Sequence, residues 1–93
     1  MKWMEFIKVQ TAGTQEQTAT PELLEFVKGL TKTFGLVEAG VYDQASAYGD
    51  FAVLLLWDTD QPQQEGSMEG LNLKQILKTF GLVNHSVWTV REQ

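Results

Sequence analysis

The sequence repeats itself once: residues 30–42 read LTKTFGLVEAGVY, and residues 76–88 read ILKTFGLVNHSVW. The block KTFGLV is identical in the two copies, and their offset of 46 residues is close to half of the 93-residue chain. The same offset carries Val27 onto Leu73. A helix-stop motif used twice would explain the shared phenylalanine and glycine, but not the half-length spacing and the matching flanks. The repeat therefore predicts a duplicated architecture.

Each repeat unit shows the pattern of a strand, a helix and a second strand. Thr20 is a good N-cap and Pro21 suits the first helical turn, while Gly35 and Gly81 fit the stop positions of the two helices. The predicted elements are strands at 1–9, 36–42, 51–57 and 82–90, with helices at 20–34 and 71–80. Polar loops are predicted at 10–20 and at 58–70; the 13 residues of the second loop predict a mobile lid.

Two such units in tandem, 1–46 and 47–93, make a single domain with the order βαββαβ. This order predicts a ferredoxin-like α+β fold, in which two helices pack on one face of a four-stranded antiparallel sheet. Phe34 and Phe80 occupy the same place in the two units. They are therefore predicted to be equivalent core residues at the helix ends.

The segment Phe51–Trp57 is apolar at every position. Because successive side chains of a strand point to opposite faces, Val53 and Leu55 share one face, and Leu54 and Leu56 share the other. The two helices cover one face, and no other predicted element is left to cover the second. The pattern predicts a homodimer in which a second copy covers that face.

Composition excludes several classes of partner. The net charge is −5, and the seven basic residues are scattered, which leaves no basic face for nucleic acid or for an anionic membrane. The longest apolar run is far shorter than the roughly 20 residues of a membrane span, and the first residues lack the apolar core of a signal peptide. The absence of cysteine excludes disulfides and fits a cytoplasmic location.

The length, the element order and the third strand, which ends Leu54-Leu55-Leu56-Trp57-Asp58 before a polar segment and a helix, resemble the dimeric α+β barrel superfamily. The resemblance is to its antibiotic-biosynthesis-monooxygenase-like members in particular. It implies a homodimer, a small-molecule pocket in each protomer, and cofactor-free oxidation or an isomerase-like reaction. Many relatives place a histidine before the last helix. This chain departs from that pattern, because its one histidine, His85, lies on the last strand.

His85 is the candidate catalytic residue, because imidazole is the side chain best suited to acid–base work at neutral pH. It shares a strand face with Val83 and Val87, and the first unit has Ala39 at the matching position. An imidazole on an apolar face requires a hydrogen-bonding partner. Two roles are open for it: a general base or ligand donor in a pocket, or a histidine at the edge of the core that bonds a backbone carbonyl.

Trp57, Tyr42, Asn84 and Trp88 are the candidate ligand-binding residues. Asn84 and Trp88 lie on the strand face opposite to His85, and Tyr42 is the counterpart of Trp88 in the first unit. Aromatic and polar side chains can orient a small ligand, but the same residue types line dimer interfaces. Trp57 ends the third strand, where it either walls a cavity or only adds buried area.

No cofactor is predicted. One histidine, no cysteine and no close group of acids give no metal site, and the glycines occur singly, so there is no phosphate-binding loop. Three functions stay open: a cofactor-independent monooxygenase or isomerase acting on a small organic compound, a non-catalytic small-ligand binder, and a dimeric interaction module. A cavity that touches His85 favours the first two, and a closed core beside it favours the third.

Overall fold

The computed structural model describes residues 1–11 and 19–91. Its elements are β1 (Lys2–Gln10), α1 (Pro21–Gly29) with a following 3-10 turn (Leu30–Lys32), β2 (Leu36–Asp43), β3 (Phe51–Asp58), α2 (Met68–Leu77) and β4 (Leu82–Thr89). Most of the loop predicted at 10–20 lies outside the described residues. The α-helices have nine and ten residues, and no helix in the described part of the chain has the length and hydropathy needed to cross a membrane.

The strands form one antiparallel sheet in the order β2-β3-β1-β4. The two central strands, β1 and β3, each belong to a different repeat unit, and Ile7 pairs directly with Val53. The predicted α+β class, with a four-stranded antiparallel sheet and two helices, is confirmed. The arrangement is compatible with a ferredoxin-like fold.

The core lies between the helices and one face of this sheet. Alternate residues of the two central strands are buried, and they pack in one cluster with the inward residues of both helices. Its buried members are Trp3, Ile7, Val9, Leu23, Val27, Leu36, Phe51, Val53, Leu55, Trp57, Leu73 and Leu77. We call this side of the sheet the helix face.

The opposite side of the sheet carries the other alternating set, and we call it the open face. Its apolar members include Met4, Leu54 and Leu56, which are partly buried by their neighbours in the sheet. Phe6, Tyr42 and Trp88 are more exposed, at 36%, 50% and 56%. None of these six side chains belongs to the core cluster of the described residues.

Two sequence predictions about the first helix and the second loop are wrong. The α-helix ends at Gly29 and the 3-10 turn at Lys32, so Phe34 falls outside the helical region and is 96% exposed. Phe34 is therefore not a core residue equivalent to Phe80, which packs against the core edge-to-face with Phe51. The 58–70 loop is also shorter than predicted, because α2 begins at Met68.

Candidate functional site

A buried carboxylate, that of Glu5, is the centre of the polar contacts on the helix face. Glu5 is 0% exposed. Its Oε2 accepts hydrogen bonds from Trp57 Nε1 at 2.8 Å and from Ser67 Oγ, and its Oε1 accepts from the Ser67 backbone N–H at 3.0 Å. His85 Nε2 lies 2.8 Å from the same Oε1. We call these four residues the Glu5 cluster.

The sheet register and the helix cap bring the Glu5 cluster together. Glu5 lies on β1 among inward-facing residues, and Trp57 and His85 face inward on the two flanking strands. Ser67 is the N-cap of α2, where its Oγ accepts from the Gly70 N–H at 2.9 Å. The cluster therefore links the three strands β3, β1 and β4 to the first turn of α2.

Two glycines leave the room that the carboxylate and the imidazole occupy. A Cβ atom at Gly70 would overlap the carboxylate of Glu5. A Cβ atom at Gly66 would overlap the ring of His85, and the φ of Gly66 is +105°, which side-chain-bearing residues rarely adopt. The polar cluster is therefore built into the close approach of α2 to the sheet.

The hydrogen-bonding inventory of the cluster indicates a structural arrangement. Trp57 Nε1 and the Ser67 backbone N–H can only donate, and Ser67 Oγ donates to Glu5 because it already accepts from the helix. With His85 Nε2 as the fourth donor, each carboxylate oxygen accepts two bonds. The partner of His85 is thus a carboxylate, in place of the backbone carbonyl suggested by its strand position. The proposed catalytic role of His85 stays a prediction.

Glu5 was not among the predicted site residues, although the alternation along the first strand indicates that its side chain is buried. Trp3, Glu5, Ile7 and Val9 have the same parity on β1, and the other three are buried core residues. An acid in an otherwise apolar inward set must find donors, because an unpaired buried carboxylate is very costly. Parity on the first strand therefore pointed to a buried polar cluster, and to His85 as a member of it.

A groove of about 1180 Å³ adjoins the cluster at the end of β3. Trp57 and Ser67 contribute to its wall while they hold Glu5 on their other side, whereas His85 is not part of the lining. The lining residues are Trp3, Phe34, Trp57, Asp58, Thr59, Asp60, Gln61, Gln63, Ser67, Met68, Glu69, Leu71 and Asn72. The rings of Trp3 and Trp57 stack in its floor, with centroids 5.5 Å apart. We call this feature the α2 groove.

The remaining predicted ligand-binding residues lie on the open face. Tyr42, Asn84 and Trp88 belong to its alternating set, and Trp88 Nε1 donates to Ser86 Oγ at 2.8 Å. Trp88 also lines an apolar cleft of about 250 Å³ on this side of the sheet. The sheet therefore separates these three residues from Trp57 and His85, and the five candidates do not form one site.

Within residues 1–11 and 19–91, no three His, Cys, Asp or Glu side chains group closely enough to hold a metal ion. No family model matches the chain, and comparison with the curated proteins and with the solved structures finds no match.

Proposed function

We propose that the protein is a homodimeric assembly module, in which the open faces of two ferredoxin-like sheets pack together as a dimeric α+β barrel. The observation that carries this proposal is the composition of the open face. Its apolar members lie on both central strands, and its largest aromatic residues, Tyr42 and Trp88, are half exposed. A contiguous apolar patch of this kind marks an interaction surface in a soluble protein.

The topology supports the ferredoxin-like part of the proposal. Strand β3 lies between β2 and β1, so each strand–helix–strand unit has a strand of the other unit inserted into it. This order is the one expected of a split βαβ arrangement. Both helices pack on one face, and within residues 1–11 and 19–91 no helix covers the opposite face, where a second sheet would pack.

The energetics favour a second copy as the cover of the open face. Apolar burial contributes about 25 cal/mol per Å² removed from water, and a small domain gains in stability from such burial. A twofold axis brings the same patch of each protomer into contact, so that each apolar open face buries the other. The residues that pair directly with Leu54, which are Gly40 and Phe6, are uncharged. The charged residues Lys8 and Glu38 lie one pair further along the strands on either side.

A second candidate function, binding of a small organic ligand between the two sheets, is favoured by the cleft beside Trp88. Its volume of about 250 Å³ is below the range of about 300–1000 Å³ typical of ligand pockets, so a second copy would have to complete it. Tyr42, Asn84 and Trp88 would then line the interior of the barrel. Aromatic faces with one amide would orient an aromatic compound.

The enzymatic alternative is a cofactor-independent monooxygenase or isomerase with His85 as proton acceptor. It rests on the resemblance of the sequence to the barrel superfamily. The geometry favours it less than assembly, because the side chain of His85 is 4% exposed and its Nε2 is engaged with Glu5. A general base must reach the proton that it removes from a substrate.

Sedimentation velocity across the micromolar range tests the assembly. We expect a dimer of the 10.5 kDa chain that resists high salt, because apolar burial holds it. Leu54→Lys should shift the chain to a folded monomer, whereas Leu24→Lys, at an exposed apolar position of α1, should leave the dimer intact. A parent chain that sediments as a folded monomer would overturn the proposal.

A further inference from the structure

Several large apolar side chains that line the α2 groove are exposed to solvent. Phe34 is 96% exposed, Met68 is 75% exposed and Leu71 is 44% exposed, and all three line this groove. They stand around the stacked rings of Trp3 and Trp57, which are themselves buried in the floor. Clustered exposed apolar side chains beside a concave surface are typical of a binding site.

The charged side chains among the described lining residues of the groove are all acidic. Asp58, Asp60 and Glu69 line it, and none of its described lining residues is lysine, arginine or histidine. Asp58 lies 3.5 Å from the amino group of Met1, whereas Asp60 and Glu69 form no ion pair within the described residues. The groove therefore combines an apolar floor with a negative rim, which is complementary to a cationic and apolar partner.

The same features argue against an anionic ligand at the start of α2. Two of the donors at this end of the helix are already used, because the Ser67 N–H binds Glu5 and the Gly70 N–H binds Ser67 Oγ. The carboxylates of Asp60 and Glu69 would also repel an anion.

The size and openness of the groove favour a peptide over a compact organic molecule. Its volume of about 1180 Å³ exceeds the range of about 300–1000 Å³ that encloses a drug-sized ligand. Phe34 lines the groove from the turn before β2, and Met68 lines it from the first turn of α2, so these two elements form borders of the groove. An amphipathic helix could place its apolar residues between these borders and its basic residues against the rim.

We propose that the α2 groove docks a basic amphipathic segment of a partner protein. The apolar stripe of the segment packs on Phe34, Met68 and Leu71, and its lysine or arginine residues lie beside Asp60 and Glu69. This surface is separate from the open face of the sheet, so docking does not depend on the proposed homodimer.

Fluorescence anisotropy with a labelled model peptide tests the proposal. The probe is an amphipathic helix of leucine and lysine, and its matched control carries glutamate in place of lysine. We expect saturable binding of the lysine peptide that weakens as salt is raised, and no binding of the glutamate peptide. Phenethylamine serves as a small cationic aromatic competitor, which should displace the peptide poorly.

Substitutions inside and outside the groove test where the peptide binds. Phe34→Ala should weaken the Kd at least about fivefold, because an exposed aromatic anchor is lost, and Glu69→Gln should weaken it less and reduce its salt dependence. The matched controls are Phe26→Ala, an exposed aromatic of α1 outside the groove, and Glu65→Gln, an exposed acid outside its lining. Both controls should bind like the parent.

Three outcomes would overturn the proposal. Equal effects of Phe34→Ala and Phe26→Ala would mean that the peptide binds non-specifically to an acidic protein. Displacement by phenethylamine at concentrations near the peptide Kd would mean that the site takes small amines. A change in sedimentation caused by Phe34→Ala would mean that a second copy occupies the groove. A monomeric Leu54→Lys variant that still binds the peptide would show that docking does not require the dimer.

Discussion

The six residues KTFGLV occur at 32–37 and at 78–83, yet the two copies have opposite patterns of burial. In the first copy Leu36 is 6% exposed and Phe34 is 96% exposed. In the second copy Leu82 is 76% exposed, whereas the phenylalanine packs against the core. Identical local sequence therefore does not determine which side chains are buried.

An irregularity in β2 explains why Leu36 and Leu82 lie on opposite faces of the sheet. Leu36 pairs with Trp57 and Glu38 pairs with Leu56, so β2 contains one residue more than its partner strand at this point. Such a bulge switches the face on which the preceding residues lie. Strand β4 pairs with β1 without a shift, and Leu82 therefore lies on the open face. Beyond the bulge the two strands agree again, and Ala39 and His85 both face the helices.

The two units also differ in how their second strand is held against the core. Ala39 on β2 pairs with Leu55 in an apolar environment, whereas His85 on β4 bonds the buried carboxylate of Glu5. At this matching position the second unit is anchored by a hydrogen bond to a buried carboxylate, and the first by apolar packing. Four pairs of substitutions test these differences.

Glu5→Ala should have the largest effect. It leaves the donors of Trp57, Ser67 and His85 without an acceptor in the core, and loss of one member of a buried polar group of this kind costs about 3–5 kcal/mol of unfolding free energy. Urea denaturation followed by circular dichroism measures the loss. Glu25→Ala, an exposed acid of α1, is the control and should change stability little. Equal effects of the two substitutions would contradict the anchoring role.

Leu36→Ala should destabilise the protein by about 3 kcal/mol, because it opens a cavity in the core. Leu82→Ala removes the same atoms from the matching position of the second copy, where they are exposed in the protomer; in the monomeric Leu54→Lys background it should cost no more than about 0.5 kcal/mol. The difference between the costs of the two substitutions measures how far the bulge changes the burial of this leucine. Equal costs would mean that β2 and β4 share one register.

Phe80→Ala should cost about 2–3 kcal/mol, slightly below the range for a fully buried phenylalanine, because Phe80 is partly exposed but packs edge-to-face with Phe51. Phe34→Ala should change the unfolding free energy by less than about 0.5 kcal/mol. Thermal denaturation of the two variants gives the comparison. A destabilised Phe34→Ala variant would restore the equivalence that the repeat predicts.

His85→Ala should cost about 1–3 kcal/mol, because it removes one of the four donors to Glu5 and leaves a cavity beside Gly66. Gln75→Ala, at an exposed position of α2, is the control. Thermal melts with and without small aromatic acids and quinols separate this structural role from a ligand-binding one. A stable His85→Ala variant that loses stabilisation by one of these compounds would support a site at His85 instead.

Much of the fold followed from local chemistry. Thr20 caps α1 with its side chain and Pro21 opens the helix, and each strand was recognisable from its alternating or continuous apolar residues. The end of α1 was not predictable in the same way. Leu30 and Phe34 continue the helical spacing, but the chain leaves the helix after Lys32, and Gly35 adopts a φ of +88° before β2.

The sequence by itself determined the elements, their order, the α+β class and the apolar character of both faces of β3, because all of these depend on residues that are neighbours along the chain. The tertiary structure alone decided that Glu5 meets His85 across a separation of 80 residues, and that one copy of KTFGLV exposes its phenylalanine beside a groove. The first outcome depends on pairing between distant strands, and the second on the turn that leads from α1 into β2. A shift or bulge of one residue there exchanges the two faces of a strand without any change in local sequence.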